Sequence, residues 1–300
     1  MPCEKRVVFH SFDLEFTNIC HNNCFICPRE KITRGKGFLS FETLSIFASE
    51  FSRYSPLVTI SGLGDPLLHP MFCDFIHYLK GYKFKVVVVV NIASLVNNYE
   101  NVKKIVDSSP HSTVISISSL EPEVLRTVYN GKLNQGDVIE TLKIISTTVG
   151  DKSRLRISTI ITDRGEEITY YKRILGSLGI PIWFTRIHSR GGNLSESKLF
   201  KRREIRQNSG CSLFLFHTFI AQNGDVLSCC HDITGETTLT NIAGGANNIL
   251  SKKENIIKHQ PFFQLCNKCD EPLRDLKLPH DYHLIPMRKL MRRIKIYNRS

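Results

Sequence analysis

Cys20, Cys24 and Cys27 stand as C-HNN-C-FI-C, three thiols at CxxxCxxC spacing on one short segment. Thiolates placed this closely can hold three irons of a cubane [4Fe–4S] cluster and leave the fourth iron without a protein ligand. An iron left open in this way is a place where a small molecule can coordinate. That separates the spacing from closed four-ligand sites, which store electrons or shape a fold. The competing reading of the same residues is a zinc or structural site, with His21 as a possible fourth ligand.

Composition narrows the setting. The chain has 300 residues, enough for one large domain or two, and the residue usage of an ordinary globular protein. No apolar run reaches the roughly 20 residues of a membrane-spanning helix. The opening MPCEKRVVFHSFDLEF has no apolar signal core. Ten cysteines in such a chain are read as metal ligands rather than disulfides, and the expected location is cytoplasmic. The net charge is +12, and half of it falls in residues 276–300, where seven basic residues face only Asp281. There Met287, Leu290, Met291 and Ile294 share one face of a candidate helix. Such a tail either docks its own domain or meets an acidic partner or a membrane surface.

The elements that must position the thiols alternate. Strands are expected at 7–17, 57–62, 84–93, 113–120, 154–162 and 180–187. Helices are expected at 40–53, 69–80, 98–109, 121–130, 136–149 and 165–178. Phe72, Phe75, Ile76 and Leu79 show the helical period. Val86 to Val90 are apolar throughout, as in a parallel strand buried on both faces. Six β/α units imply an α/β fold with a parallel sheet, too few for a closed eight-stranded barrel and hence a partial (β/α)6 barrel. In the first strand Phe12, Leu14 and Phe16 point one way and Asp13, Glu15 and Thr17 the other. A polar inward row suits a ligand-filled lumen, and the cysteine loop follows at the C-terminal end of that strand, where α/β sheets place their ligands. The expected division is a core at 7–190, a polar and basic linker at 191–210, a small α+β domain at 211–275 and the basic tail at 276–300. A β-hairpin is expected at 213–229 around Asn223-Gly224, read as a type I′ turn that sets Thr218 opposite Cys229.

With these features together, the chain resembles the radical S-adenosylmethionine (SAM) superfamily. The resemblance covers roughly residues 10–270. Ser61-Gly62-Leu63-Gly64-Asp65-Pro66 resembles the GGEP element that holds the SAM amino group, with Asp65 in place of the usual Glu. Asn91 ends the third strand where the family often has Asn-Gly, and Ser116-Ile117-Ser118-Ser119-Leu120 with Glu121-Pro122-Glu123 resembles its fourth-strand segment. Ile26 stands where an aromatic side chain is common. Cys211, Gly224, Cys229 and Cys266-xx-Cys269 resemble the SPASM/Twitch extension. With no cysteine beyond Cys269 this allows one closed auxiliary cluster, of the Twitch kind, and the alternative for the same four cysteines is a zinc ribbon.

The resemblance implies an oxidoreductase or epimerase in which SAM chelates the open iron and is cleaved by one electron to a 5′-deoxyadenosyl radical. It implies a flavodoxin- or ferredoxin-type electron donor. It also implies SAM contacts from Gly62, Gly64, Asp65, Asn91, Ser116 and Ser118. Three cysteines remain. Cys3 is terminal, Cys73 lies on a helix as a small apolar residue, and Cys230 adjoins Cys229. Cys230 is either a spare thiol or a hydrogen-atom donor to a substrate radical. Asp225 and Asp232 flank the same strand as candidate bases. The expected substrate is a small metabolite of the sugar or aminocyclitol kind, dehydrogenated or epimerised. The alternative is a maturase of a ribosomal peptide or protein side chain, disfavoured because no leader-binding domain fits before residue 7. A third reading, a nucleic-acid-binding metal module, lacks any base-stacking motif of a known RNA-binding type.

Overall fold

The computed structural model describes residues 6–54, 57–160, 166–185, 187–194, 211–258 and 263–271. Cys3, most of the 191–210 linker and the 276–300 tail lie outside them. Within these bounds no helix is long and apolar enough to cross a membrane.

Six parallel strands with helices in their connections come first, as expected. The strands are β1 (Ser11–Leu14), β2 (Leu57–Ile60), β3 (Lys85–Asn91), β4 (Ser112–Ile117), β5 (Leu155–Ile160) and β6 (Ile182–Thr185). Between them lie α1 (Phe41–Phe51), α2 (Phe72–Gly81), α3 (Tyr99–Ser108), α4 (Pro122–Val128), α5 (Gln135–Thr148) and α6 (Glu166–Leu175). Local chemistry fixes several helix starts. Ser40, Asn98 and Asn134 each accept a hydrogen bond from the first turn of the helix that follows. Helix α2 begins at Phe72 rather than at residue 69 because Asp65 caps a separate 3₁₀ turn, Pro66–Leu68.

The second part is α7 (Ser212–Phe216), β7 (His217–Ile220), β8 (Asp225–Leu227), β9 (Thr238–Asn241) and α8 (Gly245–Lys258). All nine strands form one sheet in the order β6-β5-β4-β3-β2-β1-β7-β8-β9. It is parallel from β6 to β7 and antiparallel from β7 to β9. An open barrel leaves β1 with an unpaired edge, and β7 covers that edge by pairing in parallel with it.

The hairpin differs from the expected one in a single residue. Asn223 keeps a negative φ, the turn closes with Gly224 N–H donating to Ala221 O at 2.9 Å, and only Gly224 is left-handed, with φ +84°. This is the longer loop with a glycine bulge rather than a two-residue type I′ turn. The added residue sets Phe219 opposite Leu227, so Thr218 faces Ser228 and not Cys229.

Helices cover one face of the parallel sheet. Phe12, Leu14, Val58, Ile60, Val86, Val88, Ile115 and Ile157 are buried against them. The other face lines the lumen, and there Asp13, Thr59, Val87, Val89, Asn91, Ser116 and Ser158 are half-buried. Strand β3 is therefore not sealed on both sides as its valine run suggested. Its burial alternates because, among the described residues, no helix covers the lumen face.

Candidate active site

The β1–α1 loop carries the first three thiols, all half-buried. Arg29 gathers it: its guanidinium donates to Cys20 O and, at 2.7 Å, to Asn22 O. Asn22 Nδ2 donates to Ser94 Oγ at 2.9 Å, Phe25 N–H to Val128 O at 2.9 Å, and Asn130 Nδ2 to Asn23 O at 2.6 Å. The loop is thus tied to the segments before α3 and after α4. Burial and then the charges of Cys27 and Cys20 push the Cys24 thiol up to about 12. Cys27 adds likewise to the rise at Cys20, and thiols whose charges meet in this way are a donor set suited to a shared cation, so these residues fit a cluster.

The Ser61–Asp65 loop packs directly beneath. Glu15, fully buried, accepts from Leu63 N–H at 3.1 Å and from Arg34 at 2.8 and 3.3 Å. A Cβ on Gly62 would lie 2.6 Å from Glu15 Cγ, and one on Gly64 would run into Thr17 O and Ile19 O. Both glycines therefore make room for protein packing, a different reason from the ligand approach their motif suggested. Asp65 is buried, accepts from Leu67 N–H at 3.1 Å and lies in the electrostatic field of Cys20. Asn91 and Ser116 sit side by side in the β3–β4 register on the lumen face. Ser118 is buried, with its Oγ 3.2 Å from the Tyr129 hydroxyl. Tyr129 is itself pushed up to about 12, chiefly by burial, and senses Cys24 and Asn91.

The second set converges from three places: Cys211 before α7, Cys229 just past β8, and Cys266 and Cys269 in and after the 3₁₀ turn Gln264–Lys268. The short helix α7 supplies the bend needed to bring Cys211 back. Burial pushes the Cys211 and Cys229 thiols up to about 12, and Cys266 adds to both, Cys269 to Cys211. The four belong to one electrostatic group and fit a four-thiolate site.

Beside them lies a residue that the motif reading missed. Lys253 is 1% exposed; its ammonium donates to His217 O at 2.6 Å and Thr218 Oγ1 at 3.1 Å and lies 4.9 Å from the centre of the Phe214 ring. Burial pulls it down to about 7, and the charges of Cys211 and Cys229 oppose that fall. The signal was present: Lys253 continues the buried stripe Ala246, Ile249 at helical spacing, an odd place for a charge unless anions face it.

Where β7 pairs with β1, His217 Nε2 lies 3.0 Å from Asp13 Oδ2 and its Nδ1 2.8 Å from Ser11 Oγ. Burial first, then Asp13 and Cys229, push the Cys230 thiol well up, while Arg190 opposes and Glu271 adds to the shift. Cys230 is therefore a lumen neighbour of Asp13. Asp225 and Asp232 are not. Asp225 bonds Asn223 and Asn241 at the hairpin turn, and Asp232 accepts from Gly235 N–H, Thr237 N–H and Thr237 Oγ1 within its own loop. Both carboxylates shape turns rather than face the lumen. Cys73 donates weakly to Lys104 O at 3.6 Å on the outer helices.

Residues 14–175 match the sequence family described as Radical SAM superfamily. No curated protein sequence matches the chain. Among solved structures, BtrN in complex with AdoMet and 2-DOIA is similar over 89% of this chain and 95% of its own, at 14% identity and TM-score 0.55. SuiB of Streptococcus suis bound to precursor peptide SuiA is similar over 88% and 70%, at 14% identity and TM-score 0.63. The anSMEcpe structure with bound AdoMet is similar over 97% and 95%, at 12% identity and TM-score 0.55. At these identities the similarity shows the fold.

Proposed function

The chain belongs to the radical SAM superfamily, and from that premise we propose that it dehydrogenates a small polar metabolite of the sugar or aminocyclitol kind. When bound, a cluster at Cys20, Cys24 and Cys27 with SAM supplies the 5′-deoxyadenosyl radical that takes a substrate hydrogen atom, and a cluster at Cys211, Cys229, Cys266 and Cys269 supplies the one-electron sink. The chain's own residues do the rest. The Asp65 carboxylate, beside Cys20, pairs with the SAM ammonium, while Asn91 and Ser116 offer hydrogen bonds from the lumen face. Ser118, held by Tyr129, sets the wall at the end of β4. Gly62 and Gly64 keep the Ser61–Asp65 loop close to β1. Asp13, oriented by His217, accepts the proton that the oxidised substrate must lose.

The observation that carries this reading is the Asp13–His217 pair on the strand leading into the first thiol loop, in the field of Cys230 and so beside the second thiol set. It offers a proton acceptor on the lumen face beside Cys230. Cys230 supports a second outcome. Its thiol is kept protonated by burial, the form able to return a hydrogen atom, and that result would be an epimer. The peptide seen in SuiB marks the maturase alternative.

The test uses reconstituted enzyme, dithionite, SAM and a panel of C–H-deuterated aminocyclitols and hexoses. The expected result is deuterium in 5′-deoxyadenosine and a product lacking two hydrogens. Asp13→Asn should make 5′-deoxyadenosine without that product. Solvent deuterium in a product of unchanged composition selects epimerisation. Turnover with small peptides alone would overturn the metabolite reading.

A further inference from the structure

His188, His231 and Glu271 bring one ligand atom each to within 4.8 Å of one another. They come from three separate segments: the chain after β6, the loop after Cys230 and the residue after Asp270. His231 Nε2 lies 2.8 Å and His188 Nε2 3.9 Å from the same Glu271 oxygen, Oε2. Around a tetrahedral ion with bonds of about 2.0–2.1 Å, neighbouring ligand atoms stand roughly 3.4 Å apart. The two distances bracket that spacing. The rings are 4.6 Å apart, and the second nitrogen of each, Nδ1, is buried without a hydrogen-bond partner among the described residues.

We propose that His188, His231 and Glu271 form a mononuclear site for a borderline divalent ion, Zn²⁺ first, separate from both thiol sets. Two imidazoles and one carboxylate are a ligand set that such ions take, and three protein ligands leave a coordination position open. The scaffold around the site is built rather than incidental. Asp270 Oδ1 accepts from Ser189 N–H at 2.6 Å, and the single Ser189 hydroxyl proton is shared between Asp270 Oδ1 at 2.7 Å and Lys268 O at 2.9 Å. That contact rivets the segment bearing His188 to the one bearing Glu271. The left-handed run Arg190, Gly191 and Gly192 then turns the chain across His231, whose Cβ would be 3.7 Å from a Cβ on Gly191. Glu271 supplies the negative charge that a cation needs against Arg190.

Glu271 also bears on Cys230, whose pKa its charge helps to raise, so the proposed site neighbours that thiol. An ion there can hold a substrate hydroxyl or amine while the neighbouring residues act on the adjacent carbon. The metal site itself does not depend on the reaction proposed above.

The experiment takes the full chain, reconstituted with iron and sulfide, adds Zn²⁺, removes the excess, and measures zinc and iron per chain. The zinc K-edge spectrum then reports the ligands. The expected result is one zinc with a first shell of nitrogen and oxygen at about 2.0–2.1 Å, with no sulfur at about 2.3 Å. In His188→Ala and in Glu271→Gln, which keeps a hydrogen-bonding group beside His231, zinc affinity should fall at least a hundredfold with iron unchanged. No retained zinc in the wild type, a sulfur first shell, or equal binding by Glu271→Gln would each overturn the proposal.

Discussion

Replacing Arg34 with Met should damage this protein more than any surface substitution, because it strands a carboxylate in the interior. The Glu15 side chain is fully buried and that of Arg34 is 5% exposed. Their contact is bidentate, at 2.8 and 3.3 Å, and the carboxylate is completed by Leu63 N–H and, at 3.4 Å, Gln222 N–H. Arg34 also donates to Gln222 Oε1 at 3.0 Å and Ile233 O at 3.4 Å, so it joins β1, the Ser61–Asp65 loop and the second part of the molecule. Removing one partner of a buried, hydrogen-bonded ion pair costs about 3–5 kcal/mol. In a chain of this size that corresponds to a fall in the thermal midpoint on the order of 10 °C. The assay is anaerobic thermal unfolding of the reconstituted protein by circular dichroism, with SAM binding in parallel. Arg34→Met should lower the midpoint and weaken SAM binding, because Leu63 loses a fixed acceptor. The Glu15→Gln, Arg34→Met double variant should recover about half the loss or more, since no charge is then left unpaired. A loss under about 1 kcal/mol in the single variant, or strict additivity in the double, would refute the reasoning.

Three further outcomes follow from the same contacts. His69 is buried against Phe16, Phe38 and Phe75 and is kept neutral, its pKa lowered chiefly by burial. The unfolded chain therefore binds the extra proton first, and stability should fall as pH drops below about 6.5, by up to about 1.4 kcal/mol per pH unit; His69→Gln should flatten that limb in pH-dependent urea unfolding. Gly64→Ala would drive a Cβ into Thr17 O and to 2.8 Å from Ile19 O, so SAM affinity and stability should both drop sharply, whereas Gly81→Ala, in open space at the end of α2, should lower neither in calorimetry. Lys253→Met removes a buried ammonium beside Cys211 and Cys229, worth about 1.5 kcal/mol or more to an anionic partner; iron should leave the second thiol set about tenfold faster under chelator, with the first set unaffected.

The six parallel strands and the helices between them were legible because they carry local punctuation. The apolar periods, Ser40, Asn98 and Asn134 at helix starts, and the polar row on β1 are local signals, and they place the first thiol loop at the right end of the right strand. What was illegible depends on contacts far apart in the chain. The pairing of β7 with β1 joins residues about two hundred apart, and no local pattern announces it. The hairpin register turned on the φ of Asn223, which a sequence of Asn-Gly leaves open between two loop lengths. Asp225 and Asp232 looked like bases because their turn-forming hydrogen bonds cannot be read before the turns are built. His188, His231 and Glu271 meet only when the chain after β6 is riveted to residues 268–270, and none of them belongs to a spaced motif.

The central claim is that Cys20, Cys24 and Cys27 hold the group that cleaves SAM, and that the second thiol set serves a later step. The most direct measurement is 5′-deoxyadenosine formed from SAM under dithionite by the wild type, Cys24→Ala and Cys229→Ala, each with its iron content known. The wild type should form it, Cys24→Ala should form none, and Cys229→Ala should still form it after losing iron only from the second site. A fully iron-loaded wild type that leaves SAM intact, or a Cys24→Ala protein that cleaves it as well as the wild type, would contradict the account.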